Sequence, residues 1–185
     1  MEMKFTAKQT LAFDLMESEG TAEMLYGGAK GGAKTVFLCY YSLYYAKKVI
    51  DICKLEPSPY PKLIGFLGRK RGVDFNKTTL ETWKKMIDPS YYEIQKQDKE
   101  IILFGMVKYH FGGLDDEETI NKFNSAEYGL VAIDQAEETT RDDAGMLRGT
   151  LGGRAMFNGI SLPTKLLLTA NPDECWLQQD FFGKI

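Results

Sequence analysis

A glycine-rich stretch near the amino terminus constrains the fold of this 185-residue chain more than any other feature. Residues 25–35 read LYGGAKGGAKT, after a short apolar run and before a long apolar helix pattern. Glycine lets a chain curl so tightly that successive backbone N–H groups point inward and bind an anion. A strand, a glycine turn and a helix N-terminus in this order are typical of a phosphate-binding loop.

The pattern G-x-x-x-x-G-K-[ST] fits this stretch at every defining position but one. Gly28 opens it and Lys34 and Thr35 close it, whereas Ala33 occupies the place of the last glycine. In such a loop Lys34 would neutralise the β- and γ-phosphates, and the Thr35 hydroxyl would ligate Mg²⁺. Ala33 is compatible with the loop if its backbone is already helical. The alternative is a glycine-rich turn with an incidental Lys-Thr pair.

A second strong signal is the apolar run over residues 128–133, which ends in Asp134. An acid at the carboxyl end of a strand beside a phosphate loop holds Mg²⁺ in nucleotide-hydrolysing enzymes. The alternative is an acid that caps or turns the chain after a core strand. The presence of the glycine loop favours the metal-binding interpretation.

Further strands are predicted at residues 63–67 and 165–169, and residues 91–95 and 101–104 are predicted to form a hairpin. Two helices are predicted: an amphipathic helix capped by Thr6, and a buried helix over residues 34–53. Alternating strands and helices predict an α/β fold with a mostly parallel central sheet flanked by helices. The strand ending at Thr169 precedes Asn171, and a polar residue at such a strand tip can sense the γ-phosphate. A plain exit from strand to turn is the alternative, since Asn-Pro favours turns.

Composition limits the classes of function. Hydrophobic residues make up 44% of the chain, charged residues 26%, and the net charge is −3. A protein whose whole surface grips nucleic acid is usually basic, so any DNA contact must be a local patch or lie outside this chain. The three cysteines are far apart without metal spacing, which indicates thiols in a reducing compartment. No signal peptide is visible, and the most apolar run, residues 36–46, is too short to span a membrane.

Five stretches together resemble the N-terminal ATPase domain of the large terminase subunits of tailed bacteriophages. The family patterns are F/L-T-x-x-Q, Y-G-G-A-R-G-G-G-K-[ST], I-x-F-x-G-L-D-D, G-L-V-x-I-D-E-A-E-E and L-T-x-N-P-x-x-x-W-x-x-x-x-F. They match residues 5–9, 26–35, 101–116, 128–138 and 168–182 respectively. The last match is the most specific, because Asn171, Pro172, Trp176 and Phe181 keep both residue type and spacing.

The resemblance implies a P-loop NTPase of the RecA/ASCE type and a Mg²⁺-dependent ATPase, with ATP and Mg²⁺ as ligands. The implied metal ligands are Thr35 and Asp134, and the implied coupling residues are Thr169 and Asn171. Lys30 stands where the family often has arginine, and it joins the implied catalytic residues Gln135, Glu137 and Glu138. The implied nucleotide-binding residues are Gln9, Gly28, Ala29, Lys30, Gly31, Gly32, Ala33, Lys34 and Thr35.

Two departures from the family pattern concern catalysis. Ala33 replaces the loop glycine. Gln135 replaces the glutamate that, in the family, activates water and directly follows the metal-binding acid of the strand (the Walker B acid, here Asp134). An amide can orient water but cannot take its proton. Glu137 or Glu138 could supply the base from the following turn, although both could instead cap the next helix, where acids are favoured. Otherwise hydrolysis would be slow.

Residues 1–185 are expected to form a single ATPase domain, with the family's RNase H-like nuclease domain absent. The resemblance implies double-stranded DNA, a portal protein, a small terminase subunit and a nuclease domain or subunit as partners. It further implies a homo-oligomeric ring on assembly, a monomer when alone, no membrane, and the host cell cytoplasm as location. The alternatives are a nucleotide-binding but hydrolysis-poor assembly or regulatory module, and a helicase-like ATPase unrelated to packaging.

Some charged residues are ambiguous from the sequence alone. Residues 69–71 could touch DNA phosphates or form a solvated turn, and His110 is expected to be a packed or surface ring rather than a catalyst. Arg141, Arg148 or Arg154 could act on a neighbouring subunit's nucleotide, although an ordinary surface role is favoured for each.

Overall fold

The computed structural model describes residues 4–30 and 33–182. Helices are α1 (Ala7–Glu17), α2 (Lys34–Cys53), α3 (Gly72–Asp74), α4 (Leu80–Met86), α5 (Glu117–Ser125), α6 (Arg141–Thr150) and α7 (Trp176–Phe182). Strands are β1 (Glu23–Gly27), β2 (Lys62–Arg69), β3 (Tyr92–Gln95), β4 (Glu100–Leu103), β5 (Val107–Gly113), β6 (Leu130–Ile133), β7 (Met156–Phe157), β8 (Ile160–Ser161) and β9 (Lys165–Ala170). A π-helical turn, Phe75–Thr79, joins α3 to α4, and 3-10 turns lie at Pro89–Tyr91 and Ala136–Glu138.

Seven strands form one sheet in the order β1-β9-β6-β2-β5-β4-β3, while β7 and β8 form a separate small hairpin. The pairs from β1 to β5 along this order are parallel, and β4 pairs antiparallel with both β5 and β3. The carboxyl ends of β1, β9, β6 and β2 therefore meet at one edge of the sheet. The predicted fold class, α/β with a mostly parallel sheet, is confirmed.

Helices cover both faces of the sheet because its central strands are apolar on both sides. One core contains side chains from α1, α2 and α4, and the other contains side chains from α5, α6 and α7. In β1, Tyr26 joins the first core and Leu25 packs against the second, as alternation along a strand requires.

Helix α1 begins at the N-cap that the sequence predicts, and the cap is a reciprocal capping box. The Thr6 hydroxyl accepts from the Gln9 amide, and the Gln9 side chain accepts from the Thr6 amide. Helix α2 is the central helix of the first core, as the buried helix predicted over residues 34–53 requires. Tyr41 and Tyr45 are fully buried, and the Tyr45 hydroxyl donates to the Pro163 carbonyl at 2.6 Å.

The predicted hairpin is confirmed as β3 and β4, but β5 was not predicted. Its sequence, VKYHFGG, mixes charged, aromatic and glycine residues, and its strand conformation depends on its place between β2 and β4. His110 in β5 is a packed ring: its Nδ1 lies 2.7 Å from the Tyr128 hydroxyl. Burial, followed by the nearby Lys122, lowers the pKa of His110 to about 4, so the ring is neutral near pH 7.

No helix within residues 4–30 and 33–182 is both long and apolar enough to cross a membrane.

Candidate functional site

The glycine loop connects the carboxyl end of β1 to the first turn of α2, at the edge where the parallel strands end. Lys34, the first residue of α2, is buried and turns back over the loop. Its Nζ donates to the carbonyls of Gly28 at 2.8 Å and Ala29 at 2.9 Å. The Lys34 ammonium group therefore lies over the backbone of the loop. Gly31 and Gly32, two of the predicted nucleotide-binding residues, lie outside the described residues.

Asp134 follows β6 at the same edge and is almost completely buried, with 1% exposure. Its carboxylate accepts hydrogen bonds from the hydroxyls of Thr35 at 3.0 Å, Thr79 at 2.7 Å and Thr169 at 2.6 Å. Thr35 and Asp134 are 99 positions apart in the sequence. The sheet order brings together the two side chains that the sequence predicted as metal ligands.

Thr35 and Asp134 suit Mg²⁺ better than they suit a metal ion whose ligands all come from the protein. Mg²⁺ usually takes one or two protein oxygen ligands and completes its octahedron with substrate phosphates and water. The Thr35 hydroxyl and the Asp134 carboxylate supply such oxygens beside the phosphate-binding loop. Across residues 4–30 and 33–182, no three His, Cys, Asp or Glu side chains are grouped as a metal cage would need.

The candidate water-activating residues have different surroundings. Arg69 at the end of β2 binds both carboxylate oxygens of Glu138, at 2.6 and 2.9 Å, and donates to the Gln135 side-chain oxygen at 2.7 Å. The hydrogen bond to Glu138 raises the pKa of Arg69. Glu137 instead accepts one hydrogen bond, from Asn171 at 2.7 Å. Its other oxygen is buried and has no hydrogen-bond partner among the described residues.

The tip of β9, with the predicted coupling residues Thr169 and Asn171, lies against this same group of side chains. Thr169 donates to Asp134 and accepts from the Gln135 backbone amide at 3.2 Å, and Asn171 holds Glu137. A shift of β9 would therefore move both the candidate metal ligand and a candidate base.

Two nucleotide-binding candidates lie at different depths. Gln9 is buried, with its side-chain amide 3.4 Å from the Ala33 carbonyl, so α1 is tied to the end of the loop. Lys30 is exposed on the loop. The structure brings Gln9 to the loop, whereas the described contacts place no partner against Lys30.

Residues 69–71 do not behave as one basic patch. Arg69 is buried beside Glu138, Lys70 pairs with Asp143 at 2.9 Å, and Arg71 lies 3.6 Å from Asp74 with an exposed side chain. Of the three, Arg71 alone is both exposed and loosely paired. The first residue of the run belongs to the candidate site rather than to the surface.

The three candidate arginine fingers also differ in surroundings. Arg148 makes two hydrogen bonds to Glu23, at 2.8 and 3.0 Å, and these raise its pKa. Arg154 pairs with Glu127 at 3.3 Å. Arg141, the first residue of α6, contacts two polar side chains of α7 and keeps an exposed side chain. Glu23 opens β1, so Arg148 lies toward the edge opposite the glycine loop.

The parts played by Arg69 and Thr79 were not predicted from the sequence. Thr79 lies in the π-helical turn and donates to Asp134, although nothing in the sequence distinguishes its hydroxyl from that of Thr78. Arg69 was considered only as a member of a charged run. Its position at the end of a buried strand was the available signal, because charged residues are rarely buried unless they are paired.

Alanine at position 33 is compatible with the loop if its backbone is helical, and the structure shows a different backbone conformation there. Ala33 has φ 51° and ψ 32°, in the left-handed region. A residue with a Cβ atom pays about 1–2 kcal/mol there, and glycine does not. The missing loop glycine therefore costs stability at this position.

Ala33→Gly is expected to give a chain more stable than Ala29→Gly by about 1 kcal/mol, measured by urea unfolding. Glycine relieves the left-handed strain at residue 33, whereas at residue 29 φ is not positive and glycine adds only unfolded-state entropy. Equal stability of the two variants would show that residue 33 is unstrained in solution.

The fold is that of phage large terminases. The large terminase of a thermophilic bacteriophage matches with TM-score 0.71 and 12% identity, over 97% of this chain and 43% of that chain. The same terminase in complex with ATP-gamma-S matches with TM-score 0.67 and 12% identity, over 98% of this chain and 42% of that chain. The HK97 bacteriophage large terminase matches with TM-score 0.65 and 14% identity, over 92% of this chain and 34% of that chain.

No protein-family model matches the sequence, and neither does any curated protein. The chain spans less than half the length of the terminases that share its fold. The predicted resemblance is confirmed at the level of the fold.

Proposed function

We propose that this chain is a Mg²⁺-dependent ATPase domain, formed by residues 1–185, that powers packaging of double-stranded DNA into a procapsid in the host cell cytoplasm. The observation that supports this most is the convergence of Thr35 and Asp134 beside the glycine loop. One terminase of the same fold has been solved in complex with ATP-gamma-S and with ADP, which supports nucleotide binding. The expected partners are a portal protein, a small terminase subunit and a nuclease domain or subunit.

In this proposal, the residues around the loop divide the work of phosphoryl transfer to water. Lys34 would leave its loop carbonyls for the β- and γ-phosphates, and backbone N–H groups of the loop would bind the same phosphates. Bound Mg²⁺ would supply charge neutralisation, held by Thr35 and Asp134. The large positive charge around the phosphates stabilises the transition state.

Glu137 is the favoured base within this proposal. A general base needs a carboxylate oxygen free to accept a proton from water, within about 3 Å of it. Glu138 has both oxygens committed to Arg69, whereas Glu137 has one free oxygen among the described contacts and is oriented by Asn171. Gln135 and Lys30 would then orient water and phosphate. Residues 169 and 171 would transmit the state of the site along β9.

A hydrolysis-poor assembly or regulatory module is the second candidate, and Gln135 favours it. This residue occupies the position after the metal-binding acid, and its amide is locked by Arg69. Such a domain would bind nucleotide tightly and release it unchanged.

ATPase activity of the isolated chain is expected to be weak and to rise with protein concentration or in a tethered ring, since a neighbouring subunit would supply a missing catalytic group. Arg141 and Arg154 are the exposed candidates for that group, with side chains 58% and 73% exposed. Phosphate release is measured per subunit with and without Mg²⁺ and double-stranded DNA. A rate that stays flat with concentration and in the tethered ring counts against the shared-site motor. Tight ATP binding with no hydrolysis in any of these states favours the regulatory module.

A further inference from the structure

The π-helical turn Phe75–Thr79, called the π turn below, is an irregular segment next to the candidate site. The Leu80 amide donates to the Phe75 carbonyl, so this hydrogen bond spans five positions instead of the four of an α-helix. Helical turns of this kind are rare, and they occur frequently at functional sites. The irregularity therefore points to a function for the side chains that the π turn positions.

The last two residues of the π turn reach two neighbouring strand ends. Arg69 and Asp134 follow paired residues of β2 and β6, which run parallel. The Thr79 hydroxyl donates to Asp134 Oδ2 at 2.7 Å, and the Thr78 hydroxyl accepts from Arg69 Nη1 at 3.0 Å. One turn of helix thus contacts both the candidate metal ligand and the arginine that holds the candidate water-orienting side chains.

Asp134 is a buried carboxylate whose described side-chain partners are all neutral. They are the hydroxyls of Thr35, Thr79 and Thr169. A carboxylate in the interior without a cation is costly, and a bound cation would offset that cost. Thr35 and Thr169 lie in stretches that match the terminase patterns, whereas Thr79 lies outside all five of them. Its hydrogen bond to the carboxylate therefore shows a part of the site that the resemblance does not supply.

Contacts with β5 and α2 hold the π turn in place. The Phe75 ring stacks on Phe111 of β5, with 5.6 Å between the ring centroids. The Cys39 thiol of α2 donates to the Thr79 carbonyl at 3.8 Å, and Thr79 itself is 2% exposed. A hydroxyl that is fixed on both sides in this way can orient a carboxylate, because hydrogen bonds from behind set the direction of a metal-binding group.

We infer that Thr79 is a positioning residue of the metal site, which holds the Asp134 carboxylate in the orientation that Mg²⁺ binding requires. The inference rests on the proposed function and adds the π turn to its machinery. Hydrogen-bonding partners behind a metal ligand are typically worth about 10–100-fold in metal affinity. Because coupling between two equilibria is reciprocal, bound metal must stabilise the closed π turn by the same factor.

Thr79→Val tests this role, because valine has nearly the size of threonine but no hydroxyl to donate. The quantity to compare is the ratio of ATP affinity with saturating Mg²⁺ to ATP affinity in EDTA, both measured by calorimetry. In Thr79→Val this ratio is expected to fall at least about tenfold, with little change in the affinity measured in EDTA. Thr79→Ser keeps a hydroxyl and should restore the ratio. A merely structural role would lower the stability of Thr79→Val to urea and leave the ratio unchanged.

Thr82→Val is the matched control, because it removes a hydroxyl from the same helical segment. The Thr82 hydroxyl donates to the Thr78 carbonyl at 3.0 Å rather than to Asp134. This variant should keep the ratio of the unaltered chain.

Amide hydrogen exchange at Leu80 gives a second measurement, which needs no variant. Exchange of this amide reports opening of the π turn. In the unaltered chain it should slow at least about tenfold when Mg²⁺ and ATP are added together, and ATP in EDTA should have a smaller effect. This result decides the question even if Thr79→Val does not fold.

Two results would overturn the inference and leave the proposed function standing. One is a ratio that is unchanged in Thr79→Val, or that falls equally in Thr82→Val. The other is Leu80 exchange that Mg²⁺ and ATP do not alter although ATP binds. A different result, an unaltered chain that binds no ATP or whose ATP affinity Mg²⁺ does not raise, would overturn the proposed function and the inference with it.

Discussion

Lys34→Ala is expected to weaken ATP binding by at least about 100-fold. The variant removes the buried ammonium group that donates to the Gly28 and Ala29 carbonyls of the loop, and a buried charged hydrogen-bonding group contributes about 1.5–3 kcal/mol or more. Calorimetry with ATP and ADP in the presence of Mg²⁺ measures the loss. The loss should be smaller for ADP, which lacks the γ-phosphate.

Lys62→Ala is the matched control, because Lys62 is an exposed lysine at the amino end of β2, far along the strand from Arg69 and the glycine loop. It removes the same charge from the protein and should leave affinity unchanged. If Lys34→Ala binds ATP as tightly as the unaltered chain, the glycine stretch is an ordinary turn and the phosphate-loop assignment is wrong.

Glu137→Gln is expected to lower the turnover of ATP by about 100-fold or more, the usual contribution of a general base. The amide keeps the hydrogen-bonding shape around Asn171 but cannot accept a proton from water. Nucleotide affinity should change little, since the substitution alters the chemical step rather than phosphate binding. Single-turnover hydrolysis separates the two quantities.

Glu138→Gln is the comparison variant and should lower turnover less, because both Glu138 oxygens are bound to Arg69. Gln135→Glu is informative in the other direction. If neither Glu137→Gln nor Glu138→Gln lowers turnover by about tenfold, and Gln135→Glu raises turnover sharply, the domain lacks its own base. The regulatory module would then replace the motor as the function of this chain in isolation.

Arg69 connects these residues physically. Its guanidinium bridges Gln135 and Glu138 and also donates to the Thr78 hydroxyl at 3.0 Å. Truncating a buried arginine with several partners leaves a carboxylate unpaired. Loss of this side chain would therefore disturb both candidate water-orienting groups together, which is why the separate substitutions at residues 135, 137 and 138 are the cleaner tests.

Local sequence was sufficient to predict the individual features of the site. Glycine curls a loop, a periodic apolar pattern makes α2, and an apolar run ended by an acid makes β6 and Asp134; each depends on neighbours a few positions away. The same kind of signal predicted the β3–β4 hairpin and the helix cap at Thr6. The roles assigned to Thr35, Asp134, Glu137 and Asn171 stay predictions until nucleotide is bound and hydrolysed.

Long-range packing set which of these features meet. The order of the strands places Thr169 on the Asp134 carboxylate, and the π-helical turn after α3 brings Thr79 to the same group. The end of β2 places Arg69 between Gln135 and Glu138. Strand order and register depend on contacts between residues far apart in the chain, which local propensity does not encode. For the same reason no local pattern indicated β5 or the left-handed backbone at residue 33.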